Sequence, residues 1–178
     1  MERVVLGDSD YELRQLILDD VDEWLAGEDD EQVRWFEFPH GAERADVVRA
    51  IERWSASWDA GGPAYQWAIV ERRSGELAGG AELRVIDSVS ANFSYVVFPA
   101  WRRRGIATKA AGLVLDHARS LLPQRTVVLE ILDGNVASLA VARRLGAEFV
   151  GTAPSEAGGT FLRHHIDLDR DSWNEAMD

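Results

Sequence analysis

The stretch that most constrains this chain runs from Phe93 to Thr108: Phe-Ser-Tyr-Val-Val-Phe-Pro-Ala-Trp-Arg-Arg-Arg-Gly-Ile-Ala-Thr. Phe93 to Phe98 is apolar and rich in β-forming residues, so it reads as a strand, which Pro99 ends. From Ile106 onward, Ala107, Ala111, Val114, Ala118 and Leu121 keep the spacing of one helix face. Strand, tight turn and helix therefore follow within a few residues. The turn offers no Ser, Thr, Asp or Asn to cap the helix. The first helical N–H groups then lack an acceptor of their own and suit an external anion. Gly105 has no Cβ and lets backbone approach a ligand closely; Ala107 keeps the next turn narrow. Arg102, Arg103 and Arg104 add positive charge and forked donors suited to phosphate. Three cations at the positive end of a helix oppose its dipole, a conflict that a bound anion relieves. The competing reading of the run is a solvated arginine face.

Neither of two common phosphate loops is present. Gly-x-Gly-x-x-Gly does not follow a strand, and Gly-Lys-Ser/Thr is absent. The excess of 31 acidic over 19 basic residues, a net charge of -12, argues against a nucleic-acid binder and suits a cationic substrate such as an amine. There is no cysteine, which excludes disulfides, a cysteine nucleophile and thiolate metal sites. His, Asp and Glu do not recur at ligand spacing, so no metal site is expected. No apolar run is long enough to span a bilayer and no signal peptide is evident; the expected location is the cytoplasm.

Taken in order, Tyr11–Leu18 reads as a strand. Asp19-Asp20 then cap a short helix that Gly27 stops. Glu28 to Glu31 reads as a solvated acidic loop. Val33 to Gly41 has no clear period and carries Trp35, Phe36, Phe38 and His40, which either line a pocket or form satellite core. Asp46 to Trp58 is a helix with Val47, Ile51, Trp54 and Trp58 on its buried stripe. Tyr65–Glu71 and Glu76–Val85 form a hairpin, with Gly79-Gly80 marking a bulge or a close backbone approach. After the central strand and helix, Thr126–Leu132 is a mostly apolar strand. Asn135 to Leu145 is a helix stopped by Gly146, and Glu148–Thr152 with Thr160–Leu168 is a final hairpin. The chain reads as one domain over residues 1–178, with a core at 11–168 and a polar tail from Asp169 to Asp178. The crossover through the arginine turn places Thr126–Leu132 parallel to Phe93–Phe98; the hairpins are antiparallel. The result is a mixed α/β sheet of about seven strands with helices on both faces.

Arg102-Arg103-Arg104-Gly105-Ile106-Ala107 matches Gln/Arg-x-x-Gly-x-Gly/Ala, the acetyl-CoA pyrophosphate loop of the GNAT acetyltransferases. With Leu13-Arg14-Gln15-Leu16 before Asp19-Asp20-Val21, and Asn135-x-x-Ser138 before Leu145-Gly146, the chain resembles that superfamily from Tyr11 to Leu168. It is most similar to the RimJ and RimL branch of ribosomal-protein N-terminal acetyltransferases. The resemblance implies a GNAT fold whose parallel central pair splays, with the pantetheine arm of acetyl-CoA between the strands. It implies that backbone groups of Val96, Val97 and Phe98 pair with that arm. N–H groups from Arg103 to Thr108, through Gly105, Ile106 and Ala107, would hold the pyrophosphate beside Arg102 and Arg104. Asn135 would bond the arm near the thioester, though a helix cap explains it equally. Dimers are common in the family, but nothing in the sequence identifies an interface.

Two family positions differ here. Many relatives carry a glutamate where Asn92 stands and a tyrosine where Ala142 stands, and neither residue present does acid–base work. Ser138 remains to hydrogen-bond the leaving thiolate, as its equivalent does in the RimL-like branch by resemblance. Glu82 is the candidate base, acting directly or through water, against the reading that it is a solvent-facing strand glutamate. His40 is a weaker alternative base. Of His164 and His165, on the last strand, only one can face the cleft, and a structural role is expected for the pair. Trp35, Phe36, Phe38 and His40 are the candidate substrate contacts. The expected activity is acetyl-CoA-dependent N-acetylation of a primary amine, a protein N-terminus or a small molecule, by direct attack in a ternary complex. The alternative is an acyl-CoA-binding sensor or interaction module that has lost the chemistry.

Overall fold

The structure, a computed structural model, describes residues 5–123 and 125–169. The expected tail beyond Asp169 and the extreme N-terminus lie outside the described residues. Eight strands form one sheet: β1 (Leu6–Gly7), β2 (Tyr11–Gln15), β3 (Ala64–Glu71), β4 (Leu77–Val85), β5 (Ser90–Val97), β6 (Thr126–Leu132), β7 (Glu148–Pro154) and β8 (Thr160–Asp167). Their order across the sheet is β1-β2-β3-β4-β5-β6-β8-β7, and only β5 and β6 run parallel. The helices are α1 (Val21–Gly27), α2 (Asp30–Trp35), α3 (Arg44–Ala60), α4 (Ile106–Leu121) and α5 (Val136–Arg144).

The sheet is covered on both faces, so β3 is buried along nearly its whole length instead of alternating. On one face α4 and α5 pack Ile106, Val114, Leu115 and Leu145 against Leu83, Phe93 and Leu129. On the other, α1 and α3 pack Trp24, Val47 and Ile51 against Ala68, Val70 and Phe98. Side chains alternate along a strand. Phe93, Tyr95 and Val97 of β5 accordingly join the α4/α5 side, and Val96 and Phe98 join the α1/α3 side.

The parallel pairing is shorter than the sequence suggests, and it lies earlier. Ser90, Ala91 and Asn92 pair with Thr126, Val127 and Val128, and the ladder stops there. From Phe93 onward β5 stays paired to β4 but leaves β6, opening a gap in the middle of the sheet. Gly79 and Gly80 combine both expected features. The β3–β4 register shifts beside them, between Ile69 and Val70. Gly79 has φ of +151°, and a Cβ there would lie 2.1 Å from the Val96 carbonyl oxygen.

Two local expectations are corrected. The acidic run is no loop: Asp29 accepts the Gln32 N–H at 2.9 Å and caps α2, and Asp30 and Glu31 lie in its first turn, favoured by the helix dipole. Six residues are too few for an apolar period to show. Asp20 does not cap α1 with its side chain. It is buried, held at both oxygens by Arg14 at 2.7 and 2.8 Å, and accepts the Ile17 N–H. Among the described residues no helix is long and apolar enough to cross a membrane.

Candidate functional site

The turn between β5 and α4 is built as the sequence implies. Gly105 holds φ of +78° and takes the cap position without supplying a side-chain acceptor. The first bond of the helix is from the Lys109 N–H to the Gly105 carbonyl, 3.1 Å. No N–H from Arg103 to Thr108 finds an acceptor among the described residues. Six consecutive donors are thus open at the positive end of a sixteen-residue helix. The Thr108 hydroxyl in the same turn is buried without a partner. Ile106 is core, so only its backbone faces the turn.

The three arginines do different things. Arg102 points back into the protein. It holds Asp29 through two nitrogens at 2.8 and 2.9 Å, reaches Glu31 at 2.6 Å, and donates from Nε to the Val97 carbonyl at 3.0 Å. Asp29 keeps the guanidinium charged, and Arg102 in turn holds the Asp29 carboxyl below its ordinary range. Arg102 thus already has two anionic partners, Asp29 at the cap of α2 and Glu31 in its first turn. Arg104 lies over Trp101 and donates to the Ala100 carbonyl. Arg103, at φ of +61°, makes no hydrogen bond or ion pair among the described residues. The expectation for the strand end is narrowed similarly. The Val97 carbonyl is taken by Arg102, and the Phe98 N–H donates to Ala78.

On the α1/α3 side, β5 forms the floor of a cavity of about 650 Å³. Ser94, Val96, Glu82, Gln66 and Trp54 line it, and Phe36, Phe38 and His40 form its outer wall. Phe36 and Phe38 stack at 5.5 Å and remain exposed. Trp35 does not join them. Its ring reaches over Gly134, at the β6–α5 turn, because α2 turns it away from the cavity. Glu82 is not a solvent-facing strand residue: its side chain is only 12% exposed. It accepts the Trp54 indole N–H at 2.6 Å and pairs with Arg84. His40 is exposed, with Nδ1 2.7 Å from the Gly41 carbonyl. His164 and His165 lie on β8 away from this cavity, His164 against the Phe149 ring.

On the α4/α5 side, α5 begins at the gap. The Asn135 side chain accepts the Ser138 N–H at 3.0 Å, so the helix-cap reading holds. The cap fixes Ser138 in the first turn. Facing it is Tyr95, whose hydroxyl the sequence reading passed over. Burial pushes that hydroxyl up to about 12, and nearby Ser138 opposes the rise. A tyrosine in an otherwise apolar central strand was the available signal. Ala142 is core at 1% exposure, and Asn92 is paired opposite Arg84 and Val128. Among the described residues no group of acidic, histidine or cysteine side chains is placed to hold a metal.

The geometry thus joins three parts around one gap: a turn of open N–H groups at the end of β5, a cavity carrying the Glu82 carboxylate on one face, and the Tyr95 and Ser138 hydroxyls on the other.

A family model described as an acetyltransferase (GNAT) domain matches residues 11–148. No curated protein matches the chain in sequence. Solved structures of similar fold include RimL, a ribosomal alpha-N-protein acetyltransferase in complex with coenzyme A (TM-score 0.83, 17% identity, 94% of this chain and 100% of that one). Mycobacterium smegmatis RimJ in complex with CoA-disulfide superposes with TM-score 0.82 at 18% identity, over 99% of this chain and 94% of that one. The self-immunity acetyltransferase MccE, in complex with acetyl-CoA and AMP, gives 0.79 at 17% identity, over 90% and 93%.

Proposed function

Because the chain belongs to the GNAT acetyltransferase family, we propose that it transfers the acetyl group of acetyl-CoA to a primary amine, by direct attack within a ternary complex. The observation that carries this reading is the run of open N–H groups from Arg103 to Thr108 at the end of a strand that has parted from its neighbour. That run fits the pyrophosphate of CoA, with Arg103 and Arg104 beside it. The gap between β5 and β6 fits the pantetheine arm, which backbone groups at the end of β5 would hold. RimL, RimJ and MccE, all of this fold, were solved with CoA or acetyl-CoA bound.

The acceptor amine would enter by the α1/α3 cavity, between Phe36 and Phe38 and the floor of β5. An ammonium must shed a proton before it attacks, and Glu82 is the carboxylate in that cavity nearest the gap by register, opposite Ser94. The bond between nitrogen and the acyl carbon forms as the carbon–sulfur bond breaks, and the electron pair stays on sulfur. Ser138 lies on the opposite face of the sheet, at the start of α5, where a hydroxyl would stabilise the departing thiolate. Base and leaving-group donor on opposite faces let the amine approach from one side while sulfur departs on the other. No cysteine is present to carry an acyl-enzyme intermediate.

The acceptor is a protein N-terminus or a small-molecule amine. The cavity is half-open, which suits either. Thiol release with acetyl-CoA and a panel of peptides and small amines tests the reading. Transfer to at least one amine, lost in Ser138→Ala with CoA affinity kept, supports it. Tight CoA binding with no transfer to any amine, even at high pH, would overturn it.

A further inference from the structure

The Tyr95 hydroxyl is the least explained polar group near the gap. It is shielded from solvent, and no partner meets hydrogen-bond geometry. A buried hydroxyl in that state costs stability. It persists here three residues beyond the last β5–β6 pairing, at the point where the strands have parted. Its ring is fixed from below by Phe93 at 5.8 Å and its backbone by pairing to Ala81. It lies on the face of the sheet that α5 covers, as does Ser138, which acts on it and whose backbone is pinned by the Asn135 cap.

We propose that Tyr95 is a positioning residue that orients and polarises the Ser138 hydroxyl toward the CoA sulfur. This rests on the proposed acetyl transfer and deepens it. A serine hydroxyl has one proton and rotates freely. Left alone, it can turn that proton toward any nearby oxygen. Once CoA is bound and Tyr95 donates to Oγ, the serine proton is left to point at the sulfur, and the two O–H groups form a chain in which each strengthens the other. During transfer the carbon–sulfur electron pair stays on sulfur, and both hydroxyl protons stay on their oxygens. The proton released by the amine goes to the base or to solvent. The tyrosine missing at Ala142 is thereby replaced by one that reaches the same sulfur indirectly, from the strand instead of the helix.

The absence of cysteine makes the test clean, since the only thiol in a complex with CoA is that of CoA. Affinities of CoA and desulfo-CoA are compared by calorimetry from neutral pH to above the ordinary thiol pKa of about 8.5. Donors aimed at sulfur favour its thiolate, so the CoA affinity should rise relative to desulfo-CoA as pH increases. The expected rise is about tenfold in the wild type, corresponding to about one pH unit in the bound thiol. Tyr95→Phe should reduce the rise several-fold. Ser138→Ala should abolish it, and Tyr95→Phe should add nothing in that background, the mark of action through Ser138. The free Tyr95→Phe protein should be as stable as the wild type or more so, since only an unpaired oxygen is removed. A Tyr95→Phe variant that binds CoA with the full wild-type rise overturns the inference. So does one whose unfolding midpoint drops sharply, since that hydroxyl would then have a structural partner. A wild-type protein that binds neither ligand overturns the proposed function itself, and this inference with it.

Discussion

Arg102 and Asp29 lie seventy-three positions apart in sequence, and a two-point contact at 2.8 and 2.9 Å joins them. The contact ties the turn before α4 to the cap of α2, and so ties the anion-ready loop to the wall of the cavity. One side chain serves Asp29, Glu31 and the Val97 carbonyl together. The same arginine that opens the turn motif is thus a joint between β5 and α2.

Loss of that joint should be felt on the acceptor side. Arg102→Ala should cost about 1–2 kcal/mol, lowering the unfolding midpoint by roughly 3–6 °C. It should raise the KM for the amine more than the Kd for CoA. Arg103→Ala and Arg104→Ala should show the reverse, weaker CoA binding with little loss of stability. Asp29 has its folded pKa held down by Arg102. Its contribution is therefore present above the ordinary carboxylate value and lost as pH falls through the folded value. Asp29→Asn should remove that acid-side dependence from thermal melts.

Glu82 sits in the cavity with the Trp54 indole on one oxygen and Arg84 on the other. If it takes the amine proton, Glu82→Gln should lower kcat by about 100-fold while CoA affinity is kept. Trp54→Phe removes the indole donor that holds this carboxylate in place. The kcat should then fall several-fold while the fold is kept, as a thermal melt beside the rate assay checks.

How far the sequence spoke depends on the length of each signal. Sixteen residues of α4 and the fully covered strands β3, β4 and β6 carry long, consistent patterns, and their existence was legible. So was the turn at Gly105, because an uncapped helix after a strand is a local feature. α2 was not legible: six residues show no period, and its cap, Asp29, reads as one more acid in a run. β1 is two residues long and exists by pairing with Leu13 and Glu12. The partner of Arg102 and the neighbour of Tyr95 were hidden for another reason. Both are contacts between segments far apart in sequence, and a side chain's direction comes from the packed sheet. Glu82 was legible as a strand residue, but its burial depends on α3 lying across it.

Gly79 marks where the sheet has no tolerance. A Cβ would stand 2.1 Å from the Val96 carbonyl oxygen, at a φ of +151°. Gly79→Ala should therefore destabilise the protein by about 3 kcal/mol or more, since backbone must move to admit it. Urea denaturation checks this. Because β5 past Asn92 is paired to β4 alone among the described residues, CoA binding should weaken with it.

His117 of α4 offers a pH test remote from the site. Its ring lies edge-on to Trp67 at 5.9 Å, and Nε2 is buried without a partner. Burial holds its pKa below the ordinary 6.5. As pH falls below that value the unfolded chain takes the proton first, so stability falls until the folded value is passed. His117→Phe keeps a ring against Trp67 and removes the titration. Its unfolding midpoint should decline less than that of the wild type between about pH 7 and 5.

The central claim is that the open turn after β5 holds acetyl-CoA. The most direct measurement is a calorimetric titration of the purified protein with acetyl-CoA at low salt, beside the same titration of an Arg103→Glu, Arg104→Glu variant. The account predicts saturable one-to-one binding that weakens with added salt and is lost, or reduced at least tenfold, in the variant. A wild-type protein that gives no saturable binding, or a variant that binds as tightly as the wild type, would contradict it.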